Sequence, residues 1–129
     1  MDGPLHPLNW QAGWLLVLAA FATGAVIGLF FHRDDFLGGY ASFRRRMLRL
    51  GHIACAALGL MNVIFSLSPW PQPSTWQAQA ASMAFLTGGV AMPVACFLTA
   101  WREPFRHLFA IPVVALVLAV VFTLMGGTL

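Results

Sequence analysis

Histidine and cysteine occur together in the stretch RLGHIACAALGLMN, where His52 and Cys55 stand three residues apart. A second cysteine, Cys96, follows Met92 by four residues in the stretch MPVACFL. Neutral imidazole and thiolate are ligands for copper, zinc and haem iron. The first chemistry that these residue types indicate is therefore a redox site that holds haem or copper near His52.

The spacing of these residues only permits such a site, because the chain contains no CxxC, HxxxH or HExxH motif. A simpler interpretation is that the histidines hydrogen-bond to lipid headgroups, water or a backbone carbonyl, and that the cysteines are small packing residues. Both interpretations stay open at this stage. The candidate haem-binding residues are His52, His107 and His32, and the candidate ligands of a soft metal are Cys55, Cys96 and Met92.

The composition predicts that the elements carrying these residues lie in a membrane. Apolar residues make up 60% of the 129-residue chain and charged residues only 9%, whereas about 25% of a soluble domain is charged. All seven cationic residues are arginines that flank apolar stretches. We therefore expect the lipid bilayer, and not a nucleic acid, to be the partner of these charges.

Four apolar stretches are each long enough to cross a hydrocarbon core of about 30 Å as a helix. In lipid each must be helical, since no solvent is present to bond free backbone groups. We predict one all-α transmembrane domain over residues 1–129, a four-helix bundle threaded up-down-up-down. The predicted helices cover residues 11–31, 48–67, 76–100 and 105–127.

The arginines predict the direction of threading. Five lie between residues 32 and 49, two lie between residues 101 and 106, and both chain ends lack Lys and Arg. By the positive-inside rule these two loops face the cytoplasm. We therefore expect a multi-pass protein of a bacterial inner (plasma) membrane with both termini on the extracytoplasmic side. The arginines expected at the membrane interface are Arg44, Arg45, Arg46, Arg49, Arg102 and Arg106.

The helical period predicts which faces point inward. In the second helix His52, Cys55, Gly59, Asn62 and Ser66 follow spacings of 3, 4, 3 and 4, so they share a sector of roughly 80°. Small and polar residues on one face are typical of helix contacts in lipid, and a buried Asn needs a partner on another helix. The predicted packing positions are Gly24, Gly28, Gly59, Asn62, Gly88, Gly89 and Pro93.

These observations favour a non-enzymatic protein, an accessory or structural subunit of a membrane complex or a bundle that assembles with itself. No carboxylate lies within an apolar stretch, and no phosphate-binding loop or nucleophile motif occurs. The haem- or copper-binding redox protein is one alternative. A small dimeric transporter or channel is the other, and it requires a polar seam through the membrane. The residues available for that seam are Asn62, Ser66, Ser82, Thr87 and Thr99.

Overall fold

The computed structural model describes residues 6–70 and 72–126, and these contain helices and no β-strand. The predicted end of the fourth helix, at residue 127, lies outside them. Four of the helices are long and apolar enough to cross a membrane, the last together with a leading 3-10 segment at Glu103–Phe109. The helices are α1 (Pro7–Phe30), α2 (Phe43–Leu67), α3 (Trp76–Trp101) and α4 (Ala110–Gly126).

Local capping explains where the helices begin. α1 starts four residues before the predicted residue 11, because Pro7 suits the first turn, where a backbone N–H is not needed. α2 starts five residues before the predicted residue 48, because the hydroxyl of Ser42 accepts the backbone N–H of Arg45 at 3.2 Å. Thr75 caps α3 in the same way, at 3.3 Å from the backbone nitrogen of Ala78.

The helices pack as an open row in which α2 and α3 are central. α1 packs mainly on α2 and to a lesser extent on α3, whereas α4 packs on α3. Within the described residues α1 and α4 form no packed interface with each other. About 39% and 44% of the spanning windows of α2 and α3 are buried, against 11% for α1 and for α4. The two flanking helices therefore expose most of their apolar surface.

Glycines allow close approach at three of the helix contacts. A Cβ atom on Gly59 would lie 2.8 Å from the carbonyl oxygen of Gly13, so the backbones of α1 and α2 touch there. A Cβ on Gly88 would lie 2.5 Å from Cγ of Leu116 on α4. A Cβ on Gly24 would lie 2.9 Å from the ring of His52.

Gly28 differs from these glycines, because a Cβ atom added there would meet nothing within 4 Å. It lies one turn beyond Gly24 on α1 and is exposed. Pro93, by contrast, is buried within α3, which continues through it to Trp101. Gly24 and Gly28, both predicted packing positions, therefore face different surroundings.

Candidate functional site

Three buried polar side chains join the three helices α1, α2 and α3. Asn9 donates from Nδ2 to Oδ1 of Asn62 at 2.9 Å and to the backbone carbonyl of Ser82 at 3.2 Å. The hydroxyl of Ser82 donates to Oδ1 of Asn9 at 2.5 Å. Both amides are fully buried. We call Asn9, Asn62 and Ser82 the amide cluster.

The hydrogen-bonding capacity of the amide cluster is almost completely used. Nδ2 of Asn62 donates to the carbonyls of Leu58 at 2.9 Å and of Phe85 at 3.2 Å. Both amide nitrogens therefore donate both of their hydrogens, which also fixes the orientation of each amide. Gly89 leaves room for this arrangement, since a Cβ there would lie 2.6 Å from Nδ2 of Asn62. Such a cluster is suited to holding helices together in lipid.

Aromatic residues cover the amide cluster at the end where α1 begins. The ring of His6 lies 4.8 Å from that of Phe65, and the ring of Phe65 lies 5.7 Å from that of Trp70. His6 and Trp70 are both more than nine-tenths buried, and within the described chain His6 Nε2 and Trp70 Nε1 have no hydrogen-bond partner. Burial lowers the pKa of His6, so its imidazole is neutral at pH 7.

His52 has a hydrogen-bond partner on the neighbouring helix. Its Nδ1 lies 3.1 Å from the hydroxyl oxygen of Thr23, and that hydroxyl lies 2.8 Å from the carbonyl of Ala19. Because the single hydroxyl proton of Thr23 is donated to Ala19, we assign the proton of the bond between Thr23 and His52 to Nδ1, which donates it to the Thr23 oxygen. In this assignment Nε2 is the nitrogen with the free lone pair. A fixed tautomer of this kind is also found in metal-binding histidines.

Of the other predicted ligands, the two cysteines lie near each other in the interior, whereas the remaining three are more accessible. Cys55 and Cys96 are free thiols, each 2% exposed, on the adjoining helices α2 and α3. His32 and His107 are exposed, whereas Met92 is half-buried. Among residues 6–70 and 72–126, no three or more His, Cys, Asp or Glu side chains are grouped closely enough to hold a metal ion. The haem or copper site stays a prediction.

Four of the five residues proposed for a polar seam are buried, and the seam itself stays a prediction. Asn62 and Ser82 belong to the amide cluster, and the hydroxyl of Ser66 donates to the carbonyl of Val63 at 2.6 Å within its own helix. Thr99 is 1% exposed, whereas Thr87 lies on the exposed face of α3.

The side chain of Arg45 lies inside the loop between α1 and α2 and holds that loop by hydrogen bonds to its backbone. Its side chain is 1% exposed. Nε donates to the carbonyl of Phe36 at 2.6 Å, Nη1 donates to that of Phe31 at 3.3 Å, and Nη2 donates to that of Arg33. The guanidinium carbon also lies 5.0 Å from the centre of the Phe31 ring. The carbonyl of Phe31 belongs to the negative end of the α1 dipole, which stabilises a cation.

The other arginines that were predicted at the membrane interface have accessible side chains. Arg44, Arg46, Arg102 and Arg106 are exposed, and the guanidinium carbon of Arg49 lies 4.8 Å from the centre of the Tyr40 ring. Arg45 alone among the six is buried, and it contacts backbone carbonyls where a headgroup contact was expected. Its position at the capped start of α2 turns it toward the loop.

Sequence reasoning did not identify Asn9 as part of the site, because residue 9 preceded the predicted start of the first helix. A signal was nevertheless present. Asn9, Gly13, Ala20 and Gly24 share a sector of about 60° on a helix, and the first three are buried residues of α1. An amide that continues a face of small residues indicates an interhelical contact.

Comparison of the chain with protein-family models, with curated proteins and with solved structures finds no match.

Proposed function

We propose that this chain is a non-enzymatic, multi-pass protein of a bacterial inner membrane that assembles with other membrane subunits or with itself. The observation that carries the proposal is the contrast between its interior and its flanks. The polar groups at the centre are bonded to one another in the amide cluster, whereas α1 and α4 present wide apolar faces to their surroundings. Such a molecule is built for packing against lipid and other helices.

The helix contacts support the proposed up-down-up-down threading. Gly13, near the start of α1, approaches Gly59 in the later half of α2, and Gly24, near the end of α1, approaches His52 in the earlier half of α2. α1 and α2 therefore pair in opposite directions. With the arginines of the first and third loops on the cytoplasmic side, both termini lie outside.

Tags that are inserted after Trp70 and after Arg102 test the threading. We expect an impermeant reagent added to intact cells to label the tag after Trp70 and to leave the tag after Arg102 unlabelled. Labelling of both tags from the same side would contradict the threading and the localisation of the termini.

The open face of α1 supports the proposed assembly. Gly28 is exposed with no neighbour within reach of an added Cβ, and Leu18 and Phe21 on the same helix are 62% and 73% exposed. A small residue within an apolar helix face allows the backbone of another helix to approach closely. We therefore assign the contact with a second protein to the Gly28 end of α1.

Replacement of Gly28 by leucine tests this assignment against a matched control, Gly24→Leu. Gly28→Leu should lower the recovery of cross-linked or co-purified assemblies while leaving the stability of the single chain unchanged. Gly24→Leu should lower the stability of the chain itself, because Gly24 contacts His52. If Gly28→Leu leaves assembly intact, or if the wild-type chain is monomeric in native membranes, the proposal is wrong.

One observation favours the alternative of a haem- or copper-binding redox protein, namely the hydrogen bond that His52 Nδ1 donates to Thr23, which leaves Nε2 as the lone-pair nitrogen. The visible spectrum and metal content of the protein purified in mild detergent test it. This alternative predicts an absorbance band or bound metal that is lost in His52→Ala and shifted in Thr23→Val. A folded, colourless and metal-free wild-type sample would exclude it.

A further inference from the structure

A cleft of about 220 Å³ opens where the first loop meets the start of α2 and the end of α3. Its floor is apolar, and one cationic side chain stands at its edge. The residues that line it are Leu37, Arg44, Leu48, Phe97, Ala100 and Trp101. The cleft therefore joins an apolar surface to a positive charge at the end of the helices where the arginines gather.

Within the residues that the structure describes, no carboxylate pairs with the positive charge at this cleft. Arg44 is exposed, and Arg102 stacks on Trp101 with its guanidinium carbon 5.2 Å from the ring centre. Within the described residues the one ion pair joins Arg33 to Asp35 at 3.9 Å. Arg44 and Arg102 thus lack a carboxylate partner there. An anion from outside the chain would supply the missing charge.

The loop between α1 and α2 forms one wall of the cleft, and its backbone has an unusual conformation at Leu37. Leu37 has φ 53° and ψ 32°, in the left-handed region that an L-residue with a branched side chain rarely adopts. The carbonyl of the preceding residue, Phe36, accepts the hydrogen bond from buried Arg45 at 2.6 Å. Arg45 therefore fixes the loop, and the loop places Leu37 against the cleft before any ligand arrives. Backbone strain that surrounding contacts maintain is frequent at ligand sites.

We propose that this cleft binds an anionic phospholipid of the surrounding bilayer. Arg44 pairs with the lipid phosphate in the two-point geometry that guanidinium groups favour, and Leu48, Phe97 and Ala100 contact the first part of an acyl chain. Trp101, which is 65% exposed, covers the junction at the depth that aromatic residues prefer. The proposal rests on the membrane location given above and adds a ligand that the assembly proposal does not require.

The binding of phosphatidylglycerol, with zwitterionic phosphatidylcholine as the comparison of zero net charge, tests this site in the purified full chain. Native mass spectrometry in nonionic detergent measures the lipid that the chain retains. We expect the wild type to retain phosphatidylglycerol in preference to phosphatidylcholine. Arg44→Gln should bind it at least about tenfold more weakly, because the variant loses the charge-assisted contact with the phosphate. Arg46→Gln is the matched control. It removes the same charge from the same turn of α2, and residue 46 does not line the cleft.

A second variant separates the apolar part of the site from its charge. Trp101→Ala keeps every arginine and removes an exposed side chain, so it should fold normally and still lose retained phosphatidylglycerol. Equal losses in Arg44→Gln and Arg46→Gln would mean that the lipid follows net charge alone and would overturn the proposal. Binding of glycerol phosphate as tight as that of phosphatidylglycerol would overturn it too, because the site would then recognise a soluble phosphate.

The lipid site and the assembly proposal fail separately. Loss of assembly in Gly28→Leu with unchanged lipid retention supports both. Lipid retention that is unaffected by Arg44→Gln, in a protein whose assembly still depends on Gly28, overturns only the lipid site.

Discussion

Replacement of Asn62 by alanine removes the central amide of the amide cluster. Two hydrogen bonds between helices disappear, one from Asn9 Nδ2 to Asn62 Oδ1 and one from Asn62 Nδ2 to the carbonyl of Phe85. Asn9 keeps both of its bonds with Ser82, but the Nδ2 hydrogen that it donated to Asn62 loses its acceptor. The loss of two contacts and of the volume of one amide therefore gives a lower bound on the cost.

The expected magnitude follows from these counts. Hydrogen bonds between helices in a membrane contribute about 0.6 kcal/mol each on average, so the two lost bonds amount to about 1.2 kcal/mol. The deleted amide leaves a cavity of roughly 30 Å³, which costs about 0.7 kcal/mol at about 24 cal/mol per Å³. The free energy of unfolding should fall by about 2 kcal/mol, or about 30-fold in the unfolding equilibrium constant.

Reversible unfolding in mixed micelles of a mild detergent and dodecyl sulfate measures this change. Thr123→Val is the control, because the hydroxyl of Thr123 donates at 2.7 Å to Ala119 of its own helix and joins no two helices. A double-mutant cycle of Asn9→Ala and Asn62→Ala should also give a coupling of about 0.6 kcal/mol. If Asn62→Ala costs no more than Thr123→Val, and the cycle shows no coupling, then the cluster does not hold the helices together.

Three further substitutions and one titration test other contacts, each by the free energy of unfolding. Gly59→Ala should lower the free energy of unfolding by about 1–3 kcal/mol, since the new Cβ would lie 2.8 Å from a backbone oxygen. Gly28→Ala, which places its Cβ in open space, should raise that free energy by roughly 0.5–1 kcal/mol. Equal effects of the two substitutions would contradict the different environments of the two glycines. Arg45→Lys should lower the free energy of unfolding by roughly 3 kcal/mol, because an ammonium group can replace at most one of the hydrogen bonds that the guanidinium group donates to backbone carbonyls. A smaller loss of stability than in Arg46→Lys would be inconsistent with the burial of Arg45. Burial lowers the pKa of His6 below its usual 6.5, so the unfolded chain binds the proton before the folded chain does. The free energy of unfolding should therefore fall as the pH drops through 6.5. His6→Gln should remove this part of the pH dependence, and a variant whose stability depends on pH as the wild type does would refute the prediction.

The four long helices were largely predictable from the length and hydropathy of the apolar stretches. A long apolar stretch must satisfy its own hydrogen bonds, so hydropathy alone located four of them. The spacing of Cys55, Gly59, Asn62 and Ser66 indicated one face of α2, and these four residues are buried there. The starts of α1 and α2 could not be predicted from hydropathy. Pro7 at the first helical position of α1 and the Ser42 cap of α2 extend these helices beyond the apolar stretches.

The partners of individual side chains could not be predicted in this way. Arg45 stands between Arg44 and Arg46 in the sequence, and only the path of the first loop determines which of the three is enclosed. The spatial order of the helices could not be predicted either. A helix face that contacts lipid and one that contacts another apolar helix have the same composition. The left-handed conformation of Leu37 has no signal beyond the two glycines that follow it.

Polar contacts tie the helices of this chain together unequally. α1 is linked to its neighbours at three levels, by the amide cluster, by the bond between Thr23 and His52, and by Arg45 at the loop. Within the described residues α4 makes no side-chain hydrogen bond to another helix, and it packs on α3 through contacts such as that of Leu116 with Gly88. Apolar contacts between helices are replaced by contacts with lipid or with another helix at little cost. The α4 flank is therefore the part of the chain whose neighbours can change most easily, whereas the position of α1, with Gly28 on its open face, is fixed by the interior.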